Sequence, residues 1–300
     1  MAQTIGAETQ PAPTSARAMP RPTWAWLGVV PFFGFVAAFL FYPALSIVIQ
    51  TFLDTSRNFT LQNIRDLNQP FIITSYIYTI QLSAVTALIG GLLGFLLAYA
   101  ITLGRLPQWI RSAILTFSGV ASNFAGVPLA FAFIATLGVQ GLITQWLRSI
   151  GIALYPRFSL YSFWGLAITY IYFQIPLMVL VMAPALDSLK QEWREASENL
   201  GASAAQYWRY VALPILLPSL LGTMALLFGN AFGAQATAFA LTGGGAQGSV
   251  VTILIGAQLS SDALSNPGLG NALAFGMIVI MTITITIYSV MRRLSERWLQ

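Results

Sequence analysis

The sequence contains no cysteine and no histidine. Their absence excludes disulfides, thiol nucleophiles, Cys- or His-ligated metal sites and every histidine-based acid–base mechanism. Lysine is almost missing too: Lys190 is the only one, and Leu189 precedes it. A phosphate-cradling loop needs a Gly-rich turn ending in Gly-Lys-Ser/Thr, whereas Gly243-Gly244-Gly245 is followed by Ala246. The chain carries no such loop of its own. Charge of either sign is scarce, at 8% of 300 residues, where a soluble domain has about a quarter. Hydrophobic residues supply 57%, and the mean hydropathy is +0.73. A chain this apolar cannot cover a globule with polar surface, so part of its solvent is lipid. The net charge of +5 comes from 14 Lys+Arg against 9 Asp+Glu. It is a few basic residues in an apolar chain, with no nucleic-acid footprint.

What is present is length without charge. Residues 22–53, 67–104, 112–147, 158–186, 210–261 and 263–291 contain no charged side chain. Each run exceeds the roughly 20 residues a helix needs to cross a hydrocarbon core. The pattern predicts six spans centred on 26–50, 72–101, 113–137, 163–184, 214–238 and 270–291. Leu241-Thr242-Gly243-Gly244-Gly245 interrupts the longest run, so it reads as one span followed by a loop. Val250 to Leu259 is apolar but too short to cross, which suits a re-entrant or loop-packed segment. Gly90 with Gly94, and Gly229 with Gly233, are small-xxx-small pairs suited to close helix packing.

The basic residues set the orientation. With six spans, one side receives Arg17, Arg21, Arg292, Arg293 and Arg297 at the ends, Arg105 and Arg111 in a short loop, and Lys190, Arg194 and Arg209 in a longer one. The other side, which includes the loops near Asn63 and Asp262, receives Arg57, Arg65, Arg148 and Arg157. Ten against four places both termini in the cytoplasm. Residues 1–23 are rich in Ala, Pro, Thr and Ser without an apolar run, so they read as a disordered cytoplasmic tail before a transmembrane domain over 24–300. The apolar stretch after the tail is too long for a cleavable signal. Trp24, Trp26 and Trp298 suit an interfacial aromatic belt.

The cytoplasmic loop 187–212 holds the densest charge in the chain. Leu186, Leu189, Trp193, Ala196 and Leu200 recur at spacings of 3 and 4, one helical face, with Lys190, Arg194, Glu195, Glu198 and Asn199 on the rest. Gly201 reads as the helix stop, Ser203 with Gln206 as a capping box for a second helix, and Pro214 as its break or its kink into span 5. Two readings fit this helix–glycine–helix element: an amphipathic helix in the headgroup layer, or a docking element for a cytoplasmic partner. Glu192, Glu195 and Glu198 favour docking, because an anionic lipid surface repels carboxylates.

At this loop the sequence resembles a known family. Glu195-Ala196-Ser197, three residues, Gly201, nine residues, Val211, one residue, Leu213-Pro214 is similar to the EAA loop of ABC-importer permeases. In that family the pattern runs Glu-Ala-Ala, three residues, Gly, nine residues, Ile, one residue, Leu-Pro. Ser197 and Val211 are the departures. Thr60-Leu61-Gln62-Asn63 before span 2 and Leu213 to Pro218 also look like the family, and the resemblance covers roughly 60–291. It implies an all-α membrane protein with six transmembrane helices, similar to type I importer permeases, in the bacterial inner membrane. It implies a non-catalytic subunit with no cofactor of its own, ATP and Mg being bound by a partner ATPase. Glu195, Ala196, Ser197, Gly201, Leu213 and Pro214 map onto the family's coupling positions. The implied partners are a cytoplasmic ABC ATPase dimer, a second permease chain, an extracytoplasmic solute-binding protein and the lipid bilayer. The segment from Ala236 to Met281 is similar to the polyamine (spermidine/putrescine) group, and related systems carry iron, thiamine, phosphonate or sulfate.

Polar side chains inside spans are functional by default, although amides and hydroxyls also serve as helix-to-helix contacts. Asn123, Gln174, Asn230, Gln235 and Thr237 are the candidates for the translocation pathway. No charged residue lies in mid-span, which disfavours the alternative of an ion-coupled secondary transporter or channel. An intramembrane enzyme lacks the side chains it needs.

Overall fold

The computed structural model describes residues 28–54, 56–104, 106–244, 250–260 and 266–297. The 1–23 tail, Trp24, Trp26, Arg105, Gly245, Ala246, Asp262 and Trp298 lie outside the described residues. The chain divides into two compact units, Met1–Ser46 and Ile47–Gln300. In the first, α1 (Val30–Val36) passes through a π turn at Ala37–Phe41 into α2 (Tyr42–Thr51), whose last residues belong to the second unit. Phe32, Phe35, Phe39 and Tyr42 are all exposed there, a surface suited to lipid. The π turn has a cause in the sequence. Tyr42 donates its N–H to the Ala37 carbonyl, five residues back, immediately before Pro43. A proline ring crowds the carbonyl four residues earlier, and one wide turn relieves the crowding.

In the second unit, α3 (Gln62–Arg65) is a single turn anchored by Asn63. Its amide donates to the carbonyls of Thr51 and Leu53, each at 3.1 Å. Next in the chain are α4 (Pro70–Leu103), α5 (Gln108–Asn123), α6 (Gly126–Leu137), α7 (Leu142–Ser149) and α8 (Phe163–Asp187). Beyond them run α9 (Gln191–Asn199), α10 (Ala204–Tyr207), a π turn at Trp208–Ala212, α11 (Leu213–Phe232), α12 (Ala236–Thr242), α13 (Val251–Leu259) and α14 (Pro267–Arg297). Among the described residues there is no strand, only an isolated bridge between Leu53 and Phe59. Among the described residues, six helical stretches are long and apolar enough to cross a membrane: Val30–Thr51, Pro70–Leu103, Gly126–Ser149, Phe163–Asp187, Ala204–Phe232 and Pro267–Val290.

The core forms where α4, α8 and α11 meet. Met178, Val179, Met182 and Leu186 of α8 pack with Ala98 and Ile101 of α4 and with Leu216 and Leu227 of α11. Gly90 and Gly94 allow this approach: a Cβ at either would stand 2.5 Å from the Cβ of Gln174 or Met178 respectively. The second pair divides. Gly229 faces the Met281 side chain of α14, whereas Gly233 meets no other element.

Two expected spans are broken. The stretch 113–137 is two helices, α5 and α6, separated at Phe124-Ala125, and the long apolar stretch here is Gly126–Ser149. Pro128 explains the break, because its ring and missing N–H oppose a helical Phe124 carbonyl. The fifth span, expected over 214–238, ends at Phe232, and a new helix starts at Ala236. Tyr170 makes that turn tolerable inside the protein, donating its hydroxyl to the freed Ala234 carbonyl at 2.7 Å. The short apolar segment is helix α13, whose first turn is buried. Its Val251 N–H is donated to Thr79 Oγ1 at 3.0 Å.

Candidate coupling site

Residues 187–212 contain the expected helix–glycine–helix element, but its first helix starts later than the face from Leu186 to Leu200 implies. The run of Leu186, Leu189, Trp193, Ala196 and Leu200 is cut at 188–190, where Lys190 adopts an extended backbone. Leu186 therefore stays in the core at the end of α8, while α9 has no buried residue at all. Trp193 is 37% exposed and Leu200 88%.

Local chemistry builds both ends of the element. Glu192 lies in the first turn of α9, where a negative charge suits the helix dipole. Gln191 donates to Glu195 Oε1 at 2.7 Å and Arg194 to Glu198 Oε1 at 2.9 Å, each one turn on. The hydrogen bond to Glu198, and then its charge, hold the Arg194 guanidinium above its already high ordinary pKa. At the far end the Ala202 N–H is donated to the Ser197 carbonyl and the Gly201 N–H to that of Glu198. These are the two bonds of a Schellman motif. Gly201 sits at φ +78°, and a Cβ there would meet nothing within 4 Å. Its requirement is torsional, not steric. Ser203 and Gln206 then exchange bonds at 3.3 and 2.7 Å, the reciprocal capping box that starts α10.

Pro214 does not break the return helix, which passes it through a π turn. The Leu213 N–H reaches back five residues to the Trp208 carbonyl, and the helix continues to Phe232. Tyr42-Pro43 and Leu213-Pro214 are thus each preceded by the same wide turn. Trp208 packs edge-on against Tyr99 of α4 at 5.4 Å, fixing the return helix to the membrane-spanning body. A cleft of about 510 Å³ separates α9 from that body, bounded by Tyr99, Leu103, Tyr207 and Trp208 on one side and Arg194, Glu195 and Glu198 on the other. The helix stands off, held at its ends.

The sequence motif is therefore split between two settings. Glu195 and Ala196 are exposed on α9, Ser197 turns its hydroxyl back to the Arg194 carbonyl, and Gly201 makes the corner. Leu213 and Pro214 lie beyond the π turn, on the helix that enters the membrane. At the root of the loop, Asp187 forms an ion pair with Arg111 of α5. Sequence alone does not show that contact, since both residues are visible there only as charges beside apolar runs.

The five pathway candidates also separate. Gln174 is fully buried and donates to the Leu227 carbonyl at 2.8 Å, joining α8 to α11. Thr237 is buried as well, accepting the Gly126 N–H at 2.8 Å and so tying α12 to the start of α6. Both act here as helix-to-helix contacts. Asn123, Asn230 and Gln235 are exposed, and all three lie at or near the ends of broken helices: Asn123 closes α5, Asn230 is in the last turn of α11, and Gln235 caps α12.

Residues 90–300 match the family described as binding-protein-dependent transport system inner membrane component. The chain belongs to this family. It is an inner-membrane component, with its loop 187–212 and all five pathway candidates inside the matched region. Among its relatives, the sulfate transport system permease protein of Salmonella typhimurium is 28% identical over 191 residues, covering 63% of this chain and 66% of that protein. The chain thus aligns with just under two thirds of that relative's length. The spermidine/putrescine transport system permease protein of Haemophilus influenzae is 24% identical over 273 residues, covering 88% and 93%. In fold, the chain is similar to a bacterial ABC transporter involved in import of the acidic polysaccharide alginate, with a TM-score of 0.70, 18% identity, and 90% and 94% of the two chains covered.

Proposed function

We propose that the chain is the membrane-spanning permease subunit of an ATP-driven importer, forming half of the translocation pathway. The observation that carries this reading is α9. It is a capped helix on the side where basic residues concentrate, it buries nothing, and a glycine corner links it to a helix entering the membrane. An element built this firmly and left uncovered suits docking into a groove on a cytoplasmic partner. The chain carries no phosphate-binding loop of its own, and its family of binding-protein-dependent transport components supports an ABC ATPase dimer, binding ATP and Mg, as that partner. Closure of the ATPases then displaces α9 as a rigid lever, and α10–α11 carries the displacement into the membrane. Glu195 offers a carboxylate to the partner, Ala196 and Ser197 permit close approach, Gly201 sets the corner, and Leu213-Pro214 with its π turn forms the joint. A second permease chain completes the pathway, and an extracytoplasmic binding protein delivers a small solute. Asn123, Asn230 and Gln235 are the pathway contacts of this chain.

For the solute, polyamine is the first reading, supported by alignment along 93% of a spermidine/putrescine permease. Sulfate is the second, favoured by the 28% identity of the sulfate permease relative. Co-expression with an ABC ATPase subunit, a second permease chain and a binding protein tests both levels. The reading expects co-purification with an ATPase subunit and ATP-dependent uptake of labelled spermidine. Uptake of labelled sulfate instead changes the solute alone. Uptake that persists without any ATPase subunit overturns the importer itself.

A further inference from the structure

We propose that Arg111 and Asp187 are positioning residues, a link that carries movement of the 187–212 loop into α5. The proposal rests on the importer reading of the chain. Arg111 Nη2 contacts Asp187 Oδ2 across 76 positions of sequence, joining the first turn of α5 to the last residue of α8.

Each charge sits at the wrong end of its helix. The amino end of a helix is partly positive and favours acids; the carboxyl end is partly negative and favours bases. Arg111 is the fourth residue of α5, and Asp187 is the final residue of α8. Helix stability alone would exchange them. Side chains that are 34% and 43% exposed also gain little from pairing, because water and salt screen them. Two local preferences are thus sacrificed for one contact between elements, a pattern expected where function rather than stability selects the residues.

The placement shows what the contact connects. Immediately after Asp187 come a turn at Ser188 and Leu189, Lys190 in extended backbone, and then α9, the lever that buries nothing. From Arg111, α5 runs to Asn123; the full helix is about 24 Å long. Beyond its end, Gly126 is bonded to Thr237 of α12. The ion pair therefore joins the root of the loop to a rigid rod that ends at the broken helices bearing pathway candidates. The helix α10–α11 is one route from the loop into the membrane, and α5 is a second.

Reversing charges tests the link. The complete transporter is reconstituted in proteoliposomes with labelled spermidine or sulfate, whichever the wild type imports, and ATP consumed per solute imported is measured. Arg111→Asp and Asp187→Arg singly should raise that ratio about tenfold, within the usual range of coupling between sites. The double exchange restores the contact, with both charges now matching their helix dipoles, and should return the ratio close to wild type. Ratios unchanged in both single variants, or a double exchange no better than either in an assembled complex, would overturn the proposal. A second readout needs no transport. The chain lacks native cysteine, so nitroxides on Ser112→Cys and Asn199→Cys report the α5–α9 distance in the purified full-length chain in lipid nanodiscs. Each single reversal should broaden that distribution and the double exchange narrow it; distributions unaffected by all three exclude the link. A wild type that binds no ATPase and imports neither solute would remove the importer reading, while the nitroxide distances still decide the contact.

Discussion

Gly201 shows how one residue fixes the shape of the loop. Its φ of +78° suits glycine, and no neighbouring atom crowds the space where a Cβ would go. Gly201→Val should therefore cost about 1–2 kcal/mol or more locally, from backbone torsion alone, and abolish uptake while leaving membrane insertion near normal. Asparagine enters the left-handed region more readily, so Gly201→Asn should keep much more uptake than Gly201→Val. Glu195→Lys addresses charge rather than shape. It should weaken assembly with the ATPase and reduce uptake, measured by pull-down and transport together. A headgroup-bound α9 requires the reverse, tighter association with anionic lipid. These local features are readable in the sequence because each is written within a few residues: Ser203 with Gln206, and Gly201 after Leu200. The roles of Gln174 and Thr237 are not, since their bonding partners lie 53 and 111 positions away.

Elements are legible in existence more than in extent. Runs without charge locate the spans, because lipid tolerates little else there. Their interruptions depend on contacts that no run of residues displays. The turn at 233–235 is held by Tyr170 from another helix, and the α5–α6 break is tied by Thr237 from a third. The two π turns lie before Pro43 and Pro214, yet sequence alone leaves Pro214 as break or kink. Gln174 offers a test at this scale. Its amide bridges α8 and α11 beside Gly90, and its Oε1 has no hydrogen-bond partner among the described residues. Gln174→Met keeps the volume and loses one bond, which should cost about 0.6 kcal/mol, the average for such contacts in membranes. Thermal unfolding in detergent measures the cost. Uptake should survive if the amide is a helix-to-helix contact, and collapse if it lines the pathway.

At the scale of the whole molecule, the split of basic residues assigns the sides. A reporter fused after Gln300 should be cytoplasmic, and one inserted near Asn63 external; the opposite result at either site breaks the six-span topology. The central claim is that α9 docks on a cytoplasmic ATPase. A chain without native cysteine permits the most direct measurement, a single-cysteine crosslink in membranes containing the assembled complex. Ala196→Cys places the thiol on the exposed side of α9, and Tyr161→Cys places one on the other face of the membrane, at a residue 51% exposed. The account predicts a covalent adduct with the ATPase subunit from position 196 and none from 161. No adduct from 196 in an assembled complex, or an adduct from 161, would contradict it.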